Sequence, residues 1–453
     1  LDQNVAWQQI NKEAGAKVNL VNNVSNADYR TKLSTTIAGG DLPDSMYIPA
    51  GTAIPQFPDF LDQKAADLTP YLSGDAIKAY PNLANIPTTA WKSVIYKNRI
   101  YGVPVTFPIV PGTVLWTHEE MLEAAKQPAP KSTADMKTLL TALKNPSAGV
   151  WGIGGQGGTS GTGGAYDLGM WIMYHYAPNN WKADASGKLT RSYETDQYKT
   201  AVGYARDLVA AGLYHPDSPS FNVVSIRTAF VGRKFVFNNS GWLAAATQYW
   251  EGGLQQTNPP SKLGITPPFG SDGGTGSFYL GPQLFGWSML KKAPDARVKE
   301  LLGLFNFLAA PFGSQEQLLL NYGIQGTDFN YDSSGNPVFT PKGKTDNNSL
   351  WGYIVAPPQV YYNANNPKAY ADMMWNGAKA MIAVGVNDPT LGLYSDTNAS
   401  KGPVIQQTFL QSVSEIIAGR RPLTDYDGLV NAWKSSGGDT IRTEFEQALS
   451  AAA

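Results

Sequence analysis

Strand-like and helix-like segments alternate from the start of this chain. Residues 17–21 place Val18 and Leu20 on one side of an alternating run, which predicts a strand. A helical stripe then begins at Asn26, a good N-cap, and ends at the glycines that start with Gly39. A second short strand is predicted at residues 45–48. This β-α-β order predicts an α/β fold with a parallel sheet covered by helices.

The chain is too long for one ordinary hydrophobic core. Its 453 residues fit two domains of about 200 residues each. No long proline- or serine-rich linker separates two halves of the sequence. Two domains without a linker indicate lobes that are joined by several short crossings, an arrangement that suits closure around a ligand.

Further elements follow from the same patterns. Apolar stripes predict helices that contain residues 198–209, 294–308 and 409–417. The strand candidates are residues 99–106, 150–153, 234–237, 262–266 and 284–290. No internal repeat is visible, which argues against solenoids and propellers.

Composition excludes several functional classes. Charged residues make up 16% of the chain and the net charge is -1, so no global field attracts nucleic acid or an anionic membrane. The absence of cysteine excludes disulfides, thiolate metal sites and cysteine nucleophiles. No run of apolar residues is long enough to span a bilayer. The chain opens on a helix start rather than a signal peptide, so we expect a mature chain whose export signal lies upstream.

A set of segments in fixed order carries a family resemblance. They are residues 29–44, 97–104, 321–329 and 414–423. Together they resemble the extracellular solute-binding proteins of ABC importers, in particular the large binders of sugars and oligosaccharides. Gln325 stands where the family usually has an acidic residue. Many members are lipoproteins that are anchored through an N-terminal cysteine.

The resemblance implies two α/β lobes of the type II periplasmic-binding-protein fold, with an interlobe cleft. The N-lobe would comprise residues 1–105 and 285–350, and the C-lobe residues 106–284 and 351–453. The resemblance also implies no catalysis, an extracellular or periplasmic location with tethering to the outer face of the cell membrane, and delivery of the ligand to membrane permease subunits by a monomeric protein.

The sequence offers little for cofactor or metal binding. Glycines at residues 149–164 include the spacing of a dinucleotide loop, but they run on too far before the next helix, so a loop at the edge of a ligand site is favoured. Residues 184–188 and 332–336 resemble the start of calcium loops but lack the bidentate glutamate, and are predicted to be turns. We therefore predict no metal and no cofactor.

Catalytic candidates are equally sparse. His118, His175 and His215 show no metal-ligand spacing and are predicted to be surface or locally bonded histidines. Carboxylates for glycoside hydrolysis could come from the candidates Asp167, Glu194 and Asp328, but no spacing singles out a pair.

Aromatic residues are the strongest ligand signal in the sequence. The chain has 12 Trp and 23 Tyr beside 17 Phe, and amphipathic rings suit sugars, which present an apolar face and a rim of hydroxyls. The aromatic candidates for ligand binding, taken from predicted strand ends, loops and crossings, are Trp116, Trp171, Tyr174, Trp242, Trp287, Tyr322 and Trp351. The polar candidates are Tyr47, Thr106, Gln156, Asn222, Asn239 and Gln283. Neutral amides and hydroxyls suit neutral sugars, whereas Arg99, Arg227 or Arg233 at the site would suit a uronic acid.

The leading hypothesis is capture of an oligosaccharide in the cleft, followed by delivery to an ABC permease. A secreted glycoside-active enzyme and a binder of another solute, such as a peptide, remain as alternatives.

Overall fold

The computed structural model describes residues 4–21, 26–52, 54, 56–110, 113–157, 164–242, 249, 254, 261–346, 349–362 and 368–452. The chain forms two compact units. Unit 1 comprises Leu1–Pro108 and Pro282–Asn365, and unit 2 comprises Ile109–Gly281 and Asn366–Ala453.

Both units mix helices with short strands. The strands are β1 Ser45–Pro49, β2 Ile95–Tyr96, β3 Arg99–Ile100, β4 Val103–Thr106, β5 Thr113–His118, β6 Trp151–Gly154, β7 Trp181–Ala183, β8 Leu189–Arg191, β9 Phe235–Gly241, β10 Leu263–Ile265, β11 Phe278–Tyr279, β12 Leu284–Leu290, β13 Phe329–Tyr331, β14 Pro337–Phe339 and β15 Gly385–Val386. The α-helices are Val5–Glu13, Asn26–Gly39, Phe57–Lys64, Thr69–Leu72, Pro81–Ala84, Thr88–Lys92, Glu119–Ala124, Thr133–Leu143, Gly164–Tyr174, Asp196–Ala210, Val223–Val231, Asp295–Leu308, Gln315–Tyr322, Pro341–Asp346, Lys368–Ala383, Asp396–Ile417, Tyr426–Trp433 and Asp439–Ala452.

The sheet of unit 1 has the order β1-β12-β4, and both of its pairings are antiparallel. Tyr47 of β1 lies opposite Ser288 of β12, and Pro104 of β4 lies opposite Trp287. The prediction of a parallel sheet is wrong for this unit. Its central strand comes from a distant part of the chain and enters between the two earlier strands in the opposite direction.

The predicted strand at residues 17–21 is also wrong, because this segment joins no ladder with a described strand. The backbone N–H of Val18 instead donates to Asn11 Oδ1 at 2.9 Å. Val18 and Leu20 still pack against the core of unit 1. The alternating pattern therefore marks a half-buried extended segment without a partner strand.

The main sheet of unit 2 has the order β10-β5-β9-β6. β5 pairs antiparallel with β9, whereas β6 pairs parallel with it, so the sheet is mixed. Trp116, Trp242 and Tyr249 are buried together beside β9. The helices at residues 196–210 and 396–417 pack against each other, as their apolar stripes predict.

Residues 351–362 pack with unit 1, although the sequence-based division assigned them to the C-lobe. The ring of Trp351 stacks on Trp7 with centroids 3.8 Å apart. Thr106 Oγ1 donates to the carbonyl oxygen of Pro357 at 2.5 Å. These contacts tie the segment to the helix Val5–Glu13 and to strand β4 of unit 1.

A buried ionic cluster joins β5 to the neighbouring elements of unit 2. The carboxylate of Glu120 accepts from Arg233 Nε at 3.2 Å and from the backbone N–H of Lys262 at 2.9 Å, and its Oε1 lies 3.1 Å from His118 Nδ1. His118 is fully buried, and its Nε2 donates to the carbonyl oxygen of Phe230 at 2.8 Å. Burial alone would raise the pKa of Glu120, but the hydrogen bond and charge of His118 and the backbone donors lower that pKa to about 2.

This depressed pKa predicts an acid-sensitive contribution to stability. Ionised Glu120 stabilises the fold above the ordinary carboxyl pKa, and this contribution is lost as the pH falls from about 4.5 towards 2. Glu120→Gln is expected to lower the free energy of unfolding by about 2 kcal/mol at pH 7, with the difference vanishing near pH 2. Urea unfolding at pH 7, 4 and 2 measures both values. Glu316→Gln, an exposed change in unit 1, is the control and should show no such pH dependence.

Candidate functional site

Aromatic rings cluster on unit 1 near the ends of its sheet strands. We call this cluster the aromatic face, and its members are Tyr29, Tyr47, Phe107, Phe285 and Tyr353. The exposed fractions of Phe285 and Tyr353 are 41% and 46%. Large rings that stay exposed beside one another are typical of a binding surface.

The rings of the aromatic face lie within contact distance of one another. The centroid of Tyr47 is 5.6 Å from that of Tyr353 and 6.2 Å from that of Phe285. Phe285 in turn stacks on Phe107, with centroids 5.6 Å apart and planes inclined by 18°. The result is a continuous apolar surface with tyrosine hydroxyls at its border.

Backbone contacts hold these rings in place. The Tyr47 hydroxyl donates to the carbonyl oxygen of Phe285 at 3.3 Å, and the Tyr29 hydroxyl donates to that of Tyr47 at 2.5 Å. A Cβ atom at Gly286 would lie 2.4 Å from the Tyr47 ring, so glycine is required where the ring crosses the strand. The positions of the Tyr29 and Tyr47 rings are therefore set by contacts within unit 1.

The hydroxyls of Tyr29 and Tyr47 are neutral over the physiological pH range. Burial raises the pKa of Tyr29 to about 12 and raises the pKa of Tyr47 further. The nearby guanidinium of Arg30 lowers the pKa of Tyr47 only slightly against that effect. Arg30 Nη1 donates to Thr52 Oγ1 at 3.2 Å, and no acidic side chain in the described part of the chain forms an ion pair with it.

Among the predicted site residues of unit 1, Tyr47 is part of the aromatic face. Gln283 supports it, because its carbonyl oxygen accepts from the backbone N–H of Phe107 at 2.9 Å while its side chain accepts from Thr89 Oγ1. Thr106 is buried and hydrogen-bonded to Pro357. Trp287 is half-buried and covers Gly102, where a Cβ atom would lie 2.3 Å from its ring.

The remaining predicted residues of unit 1 point to its interior. Trp351 is 4% exposed and stacks on Trp7. Tyr322 lies with both tryptophans around a small cavity that also includes Asp328. Their ligand-binding roles stay predictions, and in this structure their rings serve the packing of unit 1.

In unit 2 the predicted aromatic residues are enclosed by protein. These residues are Trp116, Trp171, Tyr174 and Trp242, each 3% exposed or less. Asn222 is exposed, but its Oδ1 caps a helix by accepting from the N–H groups of Val224 and Ser225 at 2.9 Å each. Gln156 and Asn239 are buried near Asp167. Whether any of these residues contacts a ligand stays a prediction.

The predicted turns at residues 184–188 and 332–336 are confirmed. Asp184 Oδ1 accepts from the N–H groups of Ser186 and Lys188 at 2.8 and 3.0 Å, and Asp332 Oδ1 accepts from two N–H groups of its own loop. Within the described ranges, no group of three His, Asp or Glu residues is arranged to hold a metal ion.

Two of the carboxylates considered for hydrolysis are engaged by residues of their own units. Glu194 lies 2.7 Å from Arg442 Nη2 and 3.0 Å from Lys434 Nζ, an ionic contact to the C-terminal helices of unit 2. Asp328 belongs to unit 1, where its Oδ2 accepts from the N–H of Ile324 at 2.8 Å. The three arginines considered for uronate binding are engaged as well. Arg233 is bonded to Glu120, Arg227 donates to Ser240 Oγ at 3.1 Å, and Arg99 Nε lies 3.7 Å from Asp67 Oδ2.

Sequence reasoning missed most of the aromatic face, namely Tyr29, Phe107, Phe285 and Tyr353. One signal was available for Phe285, because alternation along the predicted strand at residues 284–290 places it on the same side as Trp287. Residue type alone favours Trp287 as a sugar-stacking residue over the neighbouring Phe285.

Comparison with known proteins gives the family. The model of the family described as "Bacterial extracellular solute-binding protein" matches residues 6–324. The lipoprotein LipO of Bacillus subtilis (strain 168) is 23% identical over 98% of this chain and 89% of that protein. The polygalacturonan/rhamnogalacturonan-binding protein YtcQ of the same organism is 24% identical over 83% of this chain and 75% of that protein.

A solved structure gives the fold. The ABC-transporter substrate-binding protein FusA of S. pneumoniae, in complex with kestose, aligns with a TM-score of 0.71 at 15% identity, covering 99% of this chain and 95% of that one. The predicted two-lobed α/β fold of solute-binding proteins is thereby confirmed.

Among the described residues, no helix combines the length and the apolar character that crossing a membrane requires. Proteins of the matched family bind solutes and are not enzymes, so the prediction of a non-enzyme is confirmed and the hydrolase alternative is set aside. Because the family model covers more than half of the sequence, the chain belongs to the bacterial extracellular solute-binding proteins.

Proposed function

We propose that this protein captures a carbohydrate and delivers it to the permease of an ABC importer, with the aromatic face of unit 1 as a sugar-stacking surface. The observation that carries the proposal is the contiguous set of rings around Tyr47, with Phe285 and Tyr353 exposed. Sugar rings present apolar C–H faces that pack well on aromatic rings, and their hydroxyl rims bond to polar groups at the border.

The fixed geometry of the face supports this proposal. Rings that are already held by backbone hydrogen bonds lose little conformational entropy when a ligand binds. The Tyr29 and Tyr47 hydroxyls donate their protons to backbone carbonyls, so their oxygens stay available to accept hydrogen bonds from sugar hydroxyls. Relatives support the same ligand class, since YtcQ is named for binding polygalacturonan and rhamnogalacturonan, and FusA is described in complex with kestose.

One feature favours acidic sugars within this class. Arg30 borders Tyr47 and has no acidic partner among the described residues. A guanidinium next to stacking rings suits a uronate, whose carboxylate accepts two parallel hydrogen bonds from it. Uronate-containing oligosaccharides therefore belong in any test of binding beside neutral ones.

A thermal-shift screen tests the proposed function. The probes are trigalacturonate, kestose, a mannose–N-acetylglucosamine disaccharide and a tripeptide. We expect at least one carbohydrate at 100 times its Kd to stabilise the protein by about 2.7 kcal/mol and to be recovered chemically intact. A shift with the tripeptide alone, or with none of the probes, contradicts carbohydrate capture.

We further propose that the protein acts as a monomer outside the cell and is tethered to the outer face of the membrane. Support comes from the extracellular family and from a relative that is named a lipoprotein. Fractionation of the native cells, with and without detergent, distinguishes a tethered protein from a freely diffusing one.

A further inference from the structure

A buried polar pair in unit 2 has no structural explanation in the described residues. Asp167 and Asn239 are both 0% exposed. Neither carboxyl oxygen of Asp167, and neither the amide nitrogen nor the amide oxygen of Asn239, makes a hydrogen bond of normal geometry with a described residue. A buried polar group without such a bond costs about 1–3 kcal/mol of stability, so two adjacent ones call for a reason.

Burial raises the pKa of Asp167 well above its usual value. The Asn239 side chain and the backbone N–H of Gln156 lie close enough to favour the ionised form, but burial outweighs them. The pair is therefore close together and incompletely satisfied.

The backbone that presents Asp167 is strained. Tyr166 has a φ of +56° and Asp167 a φ of +62°, and consecutive non-glycine residues in the left-handed region are rare. A relay of hydrogen bonds maintains this conformation. Trp171 Nε1 donates to the Tyr214 hydroxyl, which donates to the carbonyl oxygen of Tyr166, each at 2.7 Å.

A glycine makes room for the same carboxyl. A Cβ atom at Gly155 would lie 2.7 Å from the Tyr214 ring and 3.1 Å from Asp167 Oδ2. The N–H of Gly155 donates to Ser218 Oγ at 3.2 Å, which fixes the strand end against Asp167. Strain, close packing and unpaired polar atoms thus converge on one carboxyl, a combination that is typical of functional sites rather than of structural residues.

We propose that Asp167 and Asn239 form a hydroxyl-binding subsite on unit 2, in which the carboxyl accepts hydrogen bonds from hydroxyls of a sugar and the amide bonds a neighbouring hydroxyl. The inference rests on the proposed carbohydrate function and assigns it a second set of residues. A carboxyl whose two oxygens lack hydrogen bonds of normal geometry matches vicinal hydroxyls of a pyranose, and an amide in the same state matches either role of a third.

The variants Asp167→Asn and Asn239→Leu test this subsite because each keeps the approximate shape of the side chain. If the polar atoms serve a ligand, removing a carboxyl or an amide that has no partner leaves the melting temperature of the empty protein unchanged or higher. Affinity for the probe should fall at least 10-fold. Isothermal titration with trigalacturonate and with kestose measures affinity, and differential scanning calorimetry measures stability.

Thr117→Val is the matched control. The Thr117 hydroxyl is buried in the same unit but bonds that of Thr266 at 2.7 Å, so its loss should lower the melting temperature and leave affinity unchanged. Absence of binding by the wild-type protein to any of the three carbohydrate probes overturns the proposed function. Wild-type affinity retained by folded Asp167→Asn overturns the subsite alone, whatever its melting temperature. Loss of affinity at an unreduced melting temperature supports it.

Discussion

Replacing Phe285 and Tyr353 together by alanine is expected to weaken carbohydrate binding about 100-fold, since each exposed ring contributes about 1–1.5 kcal/mol through stacking. Both rings are more than a third exposed, so the double variant should lose about 1 kcal/mol of stability or less. Titration calorimetry with the probe that gives the largest thermal shift measures the affinity, and a melting curve confirms the fold.

The control for this experiment is the double variant Phe312→Ala/Tyr331→Ala. Its rings have the same chemistry and similar exposure, 48% and 46%, on unit 1 but outside the aromatic face. Its affinity should equal that of the wild type. An equal loss in both double variants would mean that exposed rings act through stability or solubility, and an unchanged affinity in Phe285→Ala/Tyr353→Ala would remove the aromatic face from the binding site.

Local elements of this fold could be predicted from the sequence because they depend on short-range periodicity. The helix at Asn26–Gly39 begins and ends where its cap and its glycines indicate. The strand Leu284–Leu290 has the predicted bounds. Strand direction could not be predicted, because β12 pairs with β1 and β4, which both lie far upstream in the sequence, and no local pattern encodes that choice.

The candidate site was harder to predict because burial is a tertiary property. Tryptophans at strand ends were reasonable candidates, yet Trp116 and Trp171 are fully buried while Phe285 is exposed. A register shift between Leu284 and Gly286 displaces the start of β12, just where Phe285 lies. Such a bulge leaves no signature in the sequence, so alternation indicates the side of the strand on which Phe285 lies but not the exposure of its ring.

Asp167 is a second residue whose role could not be predicted from the sequence, because its burial and its contacts depend on the tertiary structure. Sequence reasoning considered it only as one acidic residue among 36 acidic residues of the chain. What distinguishes it is a left-handed backbone beside Tyr166, a glycine-sized space at Gly155 and a buried neighbour in Asn239. These features arise from residues far apart in the sequence, so only the folded chain brings them together.

A stability measurement distinguishes a core role from a ligand-binding role for Trp116. If the residue packs the core, Trp116→Ala is expected to lower the free energy of unfolding by about 3–5 kcal/mol. The ring is 0% exposed, packs 6.1 Å from Trp242 and 5.7 Å from Tyr249, and its Nε1 donates to the carbonyl oxygen of Ser240 at 3.2 Å. Alanine would leave a cavity in the core of unit 2 and an acceptor without its donor. Urea unfolding, followed by tryptophan fluorescence and circular dichroism, measures the loss.

Trp375→Ala is the matched control, since its ring is 57% exposed and its loss should change stability by about 0.5 kcal/mol or less. A ligand-contacting Trp116 would give the opposite pattern, with stability near that of the wild type and sugar affinity reduced. If Trp116→Ala unfolds at lower urea while its folded fraction binds the probe as the wild type does, the residue belongs to the core that supports β9. In that case the exposed rings of unit 1 are the ones that stack on the sugar. The high tryptophan content of the chain then reflects packing in the cores of large lobes and not ligand binding.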